Sequence, residues 1–339
     1  MYYEATVPTV SDRVAQMTVK LAFEPCVEPH FLADSYGYRP NKSALDAIGV
    51  TRQRCWKQDY VLEFDIKGLF DNIDHELMMK AVKTHTTTKW IILYIERWLK
   101  ASLQMPDGTI VARACGTPQG GVISPVLSNL FLHYVFDMWM NRNHADKLWC
   151  RYADDGLVHC ETMQEAQEIL DELRQRFKEC KLELHPIKTK VVYCKDGTRK
   201  GKHENTKFKF LGYEFRRRLT KNSYTNGLRL NFTPAICPEA TSDITAQLRK
   251  LNSRNRTDLE IEQIAAFINP KLIGWLNYYG KYTKSAMNVI WNRVNSMLVC
   301  WARRKYKYLK QHKTKASLFI KKIATSRPHL FIHWKLGII

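Results

Sequence analysis

Three aspartates stand where short predicted strands end. The apolar run at 60–66 predicts a strand carrying Asp65 near its end, and runs at 148–153 and 156–160 predict a hairpin with Asp154 and Asp155 at its tip. A single such aspartate is usually a cap or a turn residue. Three together offer the oxygen ligands that Mg²⁺ prefers. Two Mg²⁺ ions about 4 Å apart could activate a hydroxyl and neutralise a triphosphate, provided that the two strands are neighbours.

The elements around these residues predict an α+β fold. Helices are expected over 11–26, from Ser43, from Asp74, and over 123–143 and 163–180. A hairpin over 104–114 would turn at Asp107-Gly108, and further strands are expected at 190–194, 207–215 and 228–232. After a proline-marked boundary at 233–238 the pattern is helical only, over 239–252, 259–279, 286–306 and 315–324.

The positive charge is concentrated at the end of the chain. The net charge is +20, yet residues 263–339 hold 15 Lys and Arg and no acidic residue. In a helical region without acidic residues the Lys and Arg side chains repel one another. A nucleic-acid backbone is the usual partner that relieves this repulsion. A merely solvated basic face is the alternative interpretation.

Composition argues against several other classes of protein. No apolar run reaches the roughly 20 residues that span a bilayer, and Glu4 and Pro8 interrupt the start where a signal peptide is apolar. We therefore expect a cytoplasmic protein without a membrane partner. The nine cysteines lack C-x-x-C spacing, which predicts buried free thiols rather than zinc sites or disulfides.

Several motifs occur in a specific order. Phe-Asp-Ile-Lys-Gly-Leu-Phe-Asp-Asn-Ile at 64–73, Gly-Thr-Pro-Gln-Gly-Gly-Val-Ile-Ser-Pro at 116–125 and Tyr-Ala-Asp-Asp at 152–155 are followed by Phe-Leu-Gly-Tyr at 210–213. Together with the segments 35–40, 184–189, 269–279 and 331–334, this series resembles the reverse transcriptases encoded by bacterial group II introns, which also act as maturases. The resemblance covers nearly the whole chain.

The resemblance implies an architecture and a set of metal ligands. It implies a right-hand polymerase with partial fingers at 1–58, a palm at 59–235 and a helical thumb or maturase domain at 236–339. Asp65, Asp154 and Asp155 would be the catalytic residues and would hold two Mg²⁺ ions, with the carbonyl of Ile66 as a further ligand.

The same resemblance implies a nucleotide site and a primer grip. The dNTP-binding residues would be Lys67, Gly68, Leu69, Phe70, Pro118, Gln119, Gly120 and Lys188, and the primer grip Phe210, Leu211, Gly212 and Tyr213. Phe70 would exclude a 2′-hydroxyl as a steric gate, and Lys188 would donate a proton or charge to pyrophosphate. The alternatives are a core phenylalanine, a solvated surface lysine and a plain hairpin.

The basic C-terminal region is expected to contact RNA phosphates. The candidates are Arg303, Arg304, Lys305, Lys307 and Lys310, which lie within about two helical turns. Aromatic residues alternate with cations throughout this region, at Trp275, Tyr278, Tyr279, Tyr282, Trp291, Trp301, Tyr306 and Tyr308. At helical spacing most of these rings are expected in the core of a bundle, and only a minority are expected to stack on bases.

The expected function is RNA-directed DNA synthesis combined with binding of the parent intron RNA in splicing and mobility. The partners would be RNA template, DNA primer and dNTPs. Only residues 1–7 precede the first family segment. We therefore expect either a fragment or truncated reading frame, or finger strands supplied by another chain, as a homodimer or as an N-terminal partner segment. A non-catalytic RNA-binding maturase and a reverse transcriptase recruited to phage defence are the alternatives.

Overall fold

The structure is a computed structural model that describes residues 8–104, 107–118, 120–221 and 227–339. Contacts divide the chain into two compact units, Met1–Thr206 and Lys207–Ile339. This division falls before the sheet that begins at Lys207, whereas the boundary predicted at 233–238 overlaps the last residues of that sheet.

A four-stranded antiparallel sheet organises the first unit. Its strands are β1 (Tyr60–Asp65), β4 (Leu148–Tyr152), β5 (Asp155–Cys160) and β6 (Lys190–Tyr193), in the order β4-β5-β1-β6. The short strands β2 (Leu103–Gln104) and β3 (Ile110–Val111) form a separate hairpin, as predicted. Strand β5 is buried along nearly its whole length, as expected for a central strand covered on both faces.

Helices surround this sheet. They are α1 (Val10–Val27), α2 (Ala44–Lys57), α3 (Leu69–Asn72), α4 (His75–His85), α5 (Lys89–Lys100), α6 (Ser124–Leu132), α7 (Met138–Asn143) and α8 (Met163–Glu179). A π-helical turn, His133–Asp137, joins α6 to α7, so the long helix predicted at 123–143 has the expected extent but is locally widened.

Two helices start at the predicted residues, Ser43 and Asp74, whereas α1 is capped by Thr9 and not by the predicted Ser11. Ser43 and Asp46 form a capping box at α2, and the Asp74 carboxylate accepts from the Leu77 N–H at α4. Asp74 is also ion-paired with Lys181 at 2.6 Å. Burial raises the pKa of Asp74, but the hydrogen bonds from Lys181 and from backbone N–H groups outweigh it, so the pKa is lowered.

The second unit combines a sheet with helices. Strands β7 (Lys207–Phe210), β8 (Tyr213–Lys221) and β9 (Leu228–Ile236) form an antiparallel sheet in that order. The helices are α9 (Pro238–Lys250), α10 (Ile261–Tyr279), α11 (Asn288–Lys305), α12 (Lys313–Ser326) and α13 (Ile332–Lys335). The single strand predicted at 207–215 is wrong, because Leu211 and Gly212 have φ values of 51° and 76° and turn the chain between β7 and β8.

The aromatic residues of the second unit lie mainly in its core. Trp291, Trp301 and Trp334 are almost fully buried, and the indole N–H of Trp301 donates to the Arg256 carbonyl at 3.1 Å. The core position predicted from helical spacing is thus confirmed for Trp291 and Trp301, and Trp275, Tyr279 and Tyr306 are partly buried against the same core. Tyr308, in contrast, is exposed.

The cysteine prediction holds for six of the nine residues. All nine are free thiols, but Cys26, Cys115 and Cys300 are exposed rather than buried. Across the described part of the chain, no helix is both long and apolar enough to cross a membrane.

Candidate active site

The pairing of β1 with β5 brings the distant aspartates together. Asp65 and Asp155 are direct partners in the antiparallel register. Directly opposed residues have Cα atoms about 4.5–5.5 Å apart and side chains on the same face. The two strands are therefore neighbours, which is the condition that the sequence left open.

A two-residue turn between β4 and β5 carries the third aspartate. Tyr152 pairs with Asp155, which leaves Ala153 and Asp154 at the tip. Ala153 has a φ of 55°, in the left-handed region that residues with a Cβ rarely occupy. The turn therefore needs support from its surroundings.

The carboxylates of Asp65, Asp154 and Asp155 repel one another electrostatically. Burial raises the pKa of Asp155 to about 7, and the negative charges of Asp154 and Asp65 add to the rise. Burial, followed by the charge of Asp65, also raises the pKa of Asp154. A cation placed among these groups would relieve both the repulsion and the desolvation of the charged forms.

A lysine at present neutralises one of the carboxylates. The Lys188 ammonium lies 2.7 Å from Oδ2 of Asp65, and this hydrogen bond raises the pKa of Lys188. The side chain of Lys188 is 58% exposed, so the pair is weakly held and can exchange partners. The structure thus places Lys188 at the carboxylates, and its expected contact with pyrophosphate stays a prediction.

The backbone directly after β1 directs the Ile66 carbonyl toward the side on which β5 lies. The Asp65 carbonyl accepts from the His185 N–H at 2.8 Å, and the Lys67 N–H donates to the Glu183 carbonyl at 2.9 Å. Because backbone groups alternate in direction along a strand, the carbonyl of Ile66 is directed to the opposite edge, where β5 lies. The expected role of Ile66 as an oxygen ligand stays a prediction.

The fit to a metal ion rests on the chemistry of the donors. Within residues 8–104, 107–118, 120–221 and 227–339, no group of three or more His, Cys, Asp or Glu side chains is arranged to hold a metal ion as it stands. The donors that β1 and the hairpin bring together are nevertheless oxygens only, which suits a hard divalent cation. Asp65 would have to exchange the Lys188 ammonium for the ion.

The segment predicted to bind the triphosphate forms a tight turn after β1. Gly68 has a φ of 57° and precedes α3, and the Asn72 side-chain amide donates to the carbonyls of Lys67 and Gly68 at 3.1 and 2.9 Å. Leu69 is buried, so only its backbone could contact a nucleotide. The Lys67 ammonium lies 3.0 Å from Glu183 in an exposed ion pair, which costs little to break.

Gly116 and Thr117 pack on this turn. The Thr117 N–H donates to the Phe70 carbonyl at 2.6 Å, and a Cβ on Gly116 would lie 2.7 Å from the same oxygen. Phe70 is partly exposed and thus not a full core residue. Pro118 begins a turn in which Gly120 has a φ of 77°. Gln119 lies outside the described residues, so its predicted contact with the nucleotide stays untested.

The segment 210–213, where the resemblance implies a primer grip, forms a turn in the second unit. Phe210 pairs with Tyr213, and the Tyr278 hydroxyl donates to the Leu211 carbonyl at 2.9 Å. A Cβ on Gly212 would lie 3.0 Å from the hydroxyl of Tyr279. Helix α10 therefore holds the turn, but nothing in its geometry separates a primer grip from a plain hairpin.

The five predicted RNA-binding cations differ in their surroundings. The Lys305 ammonium is bonded to Glu260 at 2.6 Å and to the Leu259 carbonyl at 2.9 Å, and its side chain is only 14% exposed. Arg303 donates to the Lys310 carbonyl, and Arg304 donates to the Arg254 carbonyl. Arg304, Lys307 and Lys310 are exposed. Lys305 thus acts within the fold, whereas Lys307 and Lys310 remain the better candidates for phosphate contacts.

Sequence reasoning missed the residues that support the aspartates from behind. Arg151, Asp137 and Asn129 are buried polar residues next to the hairpin, and Gly156 lies against the ring of Phe64. One signal was present: Arg151 is a charged residue inside the apolar run 148–153, and Asp137 is another inside an apolar helix. A charge in such a run is rare unless it is paired.

An antiparallel sheet of the palm type, with Asp65 and Asp155 as register partners and Asp154 in the adjoining turn, is typical of nucleotidyl-transferring polymerases. The model of reverse transcriptases, described as RNA-dependent DNA polymerases, matches residues 4–215. The chain belongs to this family, whose members use divalent metal ions. The maturase-specific domain of group II introns matches residues 241–319.

Two curated relatives show how far the similarity extends. Protein YkfC of Escherichia coli K12 is 29% identical over 297 residues, covering 75% of this chain and 72% of the relative. The group II intron-encoded protein LtrA of Lactococcus lactis is 33% identical over 127 residues, covering 38% of this chain and 21% of LtrA. Among solved structures, the telomerase of Candida tropicalis aligns with 94% of this chain and 55% of its own, at 11% identity and a TM-score of 0.49.

Proposed function

We propose that this chain is the RNA-directed DNA polymerase of a group II intron and that it also binds intron RNA to assist splicing and mobility. The observation that carries the polymerase part is the register of β1 and β5, which makes Asp65 and Asp155 direct partners with Asp154 in the adjoining turn. Membership of the reverse transcriptase family and the match at 241–319 support the same assignment.

The proposed chemistry is transfer of a nucleotide from a dNTP to the 3′-hydroxyl of a DNA primer paired with an RNA template. Asp65, Asp154, Asp155 and the Ile66 carbonyl would hold two Mg²⁺ ions, and the ions would supply Lewis-acid activation of the hydroxyl and stabilisation of the triphosphate charge. Lys188, which lies 2.7 Å from Asp65, would contact a phosphate that enters the site. Its ammonium would then neutralise charge on the departing pyrophosphate.

The surrounding backbone would position the nucleotide. The left-handed Gly68 and the start of α3 can direct N–H groups at phosphate oxygens. Phe70 would lie under the sugar and exclude a 2′-hydroxyl, and the turn from Pro118 to Gly120 would lie against the base pair. We retain the proposed division into partial fingers at 1–58, palm at 59–235 and thumb at 236–339, with the primer grip at 210–213.

Primer extension tests the polymerase. Wild-type protein with RNA template, DNA primer, dNTPs and Mg²⁺ should extend the primer. Asp155→Asn should reduce the rate by more than about 100-fold, because losing a metal ligand costs at least as much activity as losing a residue that orients a ligand. Asp171→Asn, an exposed carboxylate on α8, is the matched control. Absence of extension by the wild type, with RNA binding intact, would instead support a non-catalytic maturase. Sedimentation of the same protein would show whether two copies associate.

A further inference from the structure

The side chain of Arg151 is fully enclosed behind the aspartate hairpin. It has no exposed surface, and every N–H of its guanidinium group is used. Nε and Nη2 donate to the two carboxylate oxygens of Asp137 at 2.8 and 2.7 Å, Nη2 also to the Ser35 hydroxyl at 2.8 Å, and Nη1 to the Asn129 side-chain oxygen and the Ala153 carbonyl, both at 3.1 Å.

The bond to Ala153 connects this group to the aspartates. The Ala153 carbonyl belongs to the peptide group that leads directly into Asp154. Ala153 also has a left-handed backbone, which costs roughly 1–2 kcal/mol for a residue with a Cβ. Such a conformation persists only where its surroundings hold it. Arg151 is therefore placed to fix both the turn and the direction of the following carboxylates.

A second contact encloses the turn from the same side. A Cβ on Gly37 would lie only 2.4 Å from the Ala153 nitrogen, so the two backbones are in close contact. The Gly37 carbonyl accepts from the Asn129 side chain at 2.6 Å, and Asn129 in turn accepts from Arg151. The same network thus supports the turn at its nitrogen and at its carbonyl.

Stability alone does not account for a fully buried arginine. A buried ion pair can often be replaced by apolar residues of similar size without loss of stability, since the desolvation of both charges offsets their attraction. The Arg151–Asp137 pair therefore calls for another role. The five hydrogen bonds of Arg151 hold the hairpin in one position. A pair of apolar side chains makes no directional bonds and would not fix that position.

We propose that Arg151 is the positioning residue of the catalytic hairpin, holding Asp154 and Asp155 where their carboxylates can bind a divalent ion. This inference rests on the proposed function for its consequence in catalysis. It concerns metal binding by the protein itself and can be tested without nucleotide or template. Arg151 acts through the Ala153 carbonyl and touches no reacting atom.

The test compares three variants with the wild type. Arg151→Lys keeps the charge but loses the planar set of donors. Arg151→Met combined with Asp137→Leu removes both charges, so stability should recover. Arg54→Lys is the matched control, because Arg54 is also largely buried and bonds Asp34 and the Trp149 carbonyl at the other end of β4. Mn²⁺ binding to the protein alone is measured by electron paramagnetic resonance, with kcat, the KM for dNTP and the melting temperature alongside.

We expect Arg151→Lys and the double variant to bind Mn²⁺ about 10–100-fold more weakly and to lose kcat to a similar extent, with the KM for dNTP unchanged. Arg54→Lys should lower the melting temperature without either effect. Recovery of Mn²⁺ affinity together with stability in the double variant would overturn the proposal, as would equal Mn²⁺ affinity in Arg151→Lys and Arg54→Lys. If the wild type binds Mn²⁺ but extends no primer, the proposed polymerase function fails. The Mn²⁺ affinities of the variants still test the proposed role of Arg151 in that case.

Discussion

Replacing Gly156 with alanine should disturb the active-site sheet through a single steric contact. Gly156 follows Asp155 on β5 and is the cross-strand partner of Phe64 on β1. A Cβ at this position would lie 2.0 Å from Cζ of the Phe64 ring and 2.4 and 2.6 Å from its two Cε atoms. The ring cannot retreat freely, because it is 1% exposed and packs against Phe136 and Phe177.

The cost follows from overpacking of a close-packed core. Forcing one methyl group into such a site typically destabilises a protein by about 1–3 kcal/mol. For a unit of this size, each kcal/mol corresponds to roughly 2–4 °C, so the melting temperature should fall by roughly 2–12 °C. The displacement also reaches Asp155, the adjacent residue, so primer extension should fall even at temperatures at which the protein remains folded.

Phe64→Leu provides an internal check on this reasoning. Leucine lacks Cζ and both Cε atoms, the three atoms that the new Cβ would meet. The double variant should therefore be less destabilised than the sum of the two single variants, by about 0.5–3 kcal/mol. Urea denaturation of the four proteins measures this coupling, and primer extension reports on Asp155. Additive effects, or a Gly156→Ala protein as stable and active as the wild type, would refute the proposed contact.

Three further changes probe other parts of the molecule. Tyr278→Phe removes the tether of the 210–213 turn, about 1 kcal/mol, and should weaken primer–template binding roughly fivefold in fluorescence anisotropy, while unchanged binding would argue for a plain hairpin. Asp74→Asn should lower the free energy of unfolding at pH 7, as measured by urea denaturation. The charged Asp74 carboxylate stabilises the fold fully above about pH 4, and this stabilisation disappears as the pH falls through the lowered pKa of Asp74. Below that pKa the variant and the wild type should therefore be equally stable. Neutralising Lys307 and Lys310 should make the salt dependence of RNA binding shallower by about 0.7–0.9 per cation, whereas Lys305→Ala should lower stability and leave the slope unchanged.

Much of the architecture could be predicted because it depends on local patterns. Caps at Ser43 and Asp74 marked helix starts correctly, and apolar periodicity located the helices of the second unit. The error at 207–215 has a local cause. The apolar run continues across Leu211, which lacks the side chain usual for a left-handed turn, so only the following Gly212 signalled the reversal.

The supporting residues could not be assigned a role in the same way. Arg151 and Asp137 were visible as charges within apolar runs. The partners of Arg151, however, lie 14 residues away at Asp137 and 116 residues away at Ser35. Contacts at such separations depend on how elements pack, and periodicity carries no information about them. The same holds for Gly37, whose close approach to Ala153 is a property of two distant backbones.

The sequence by itself determined which residue types were available for chemistry, namely three aspartates at strand ends and a C-terminal region with cations and no acid. Only the tertiary structure decided that Asp65 and Asp155 are register partners, that Lys188 lies on Asp65, and that Lys305 is turned into the fold. The physical reason is that residue type and local propensity are encoded along the chain, whereas strand pairing and ion pairing depend on the free energy of packing between segments distant in sequence.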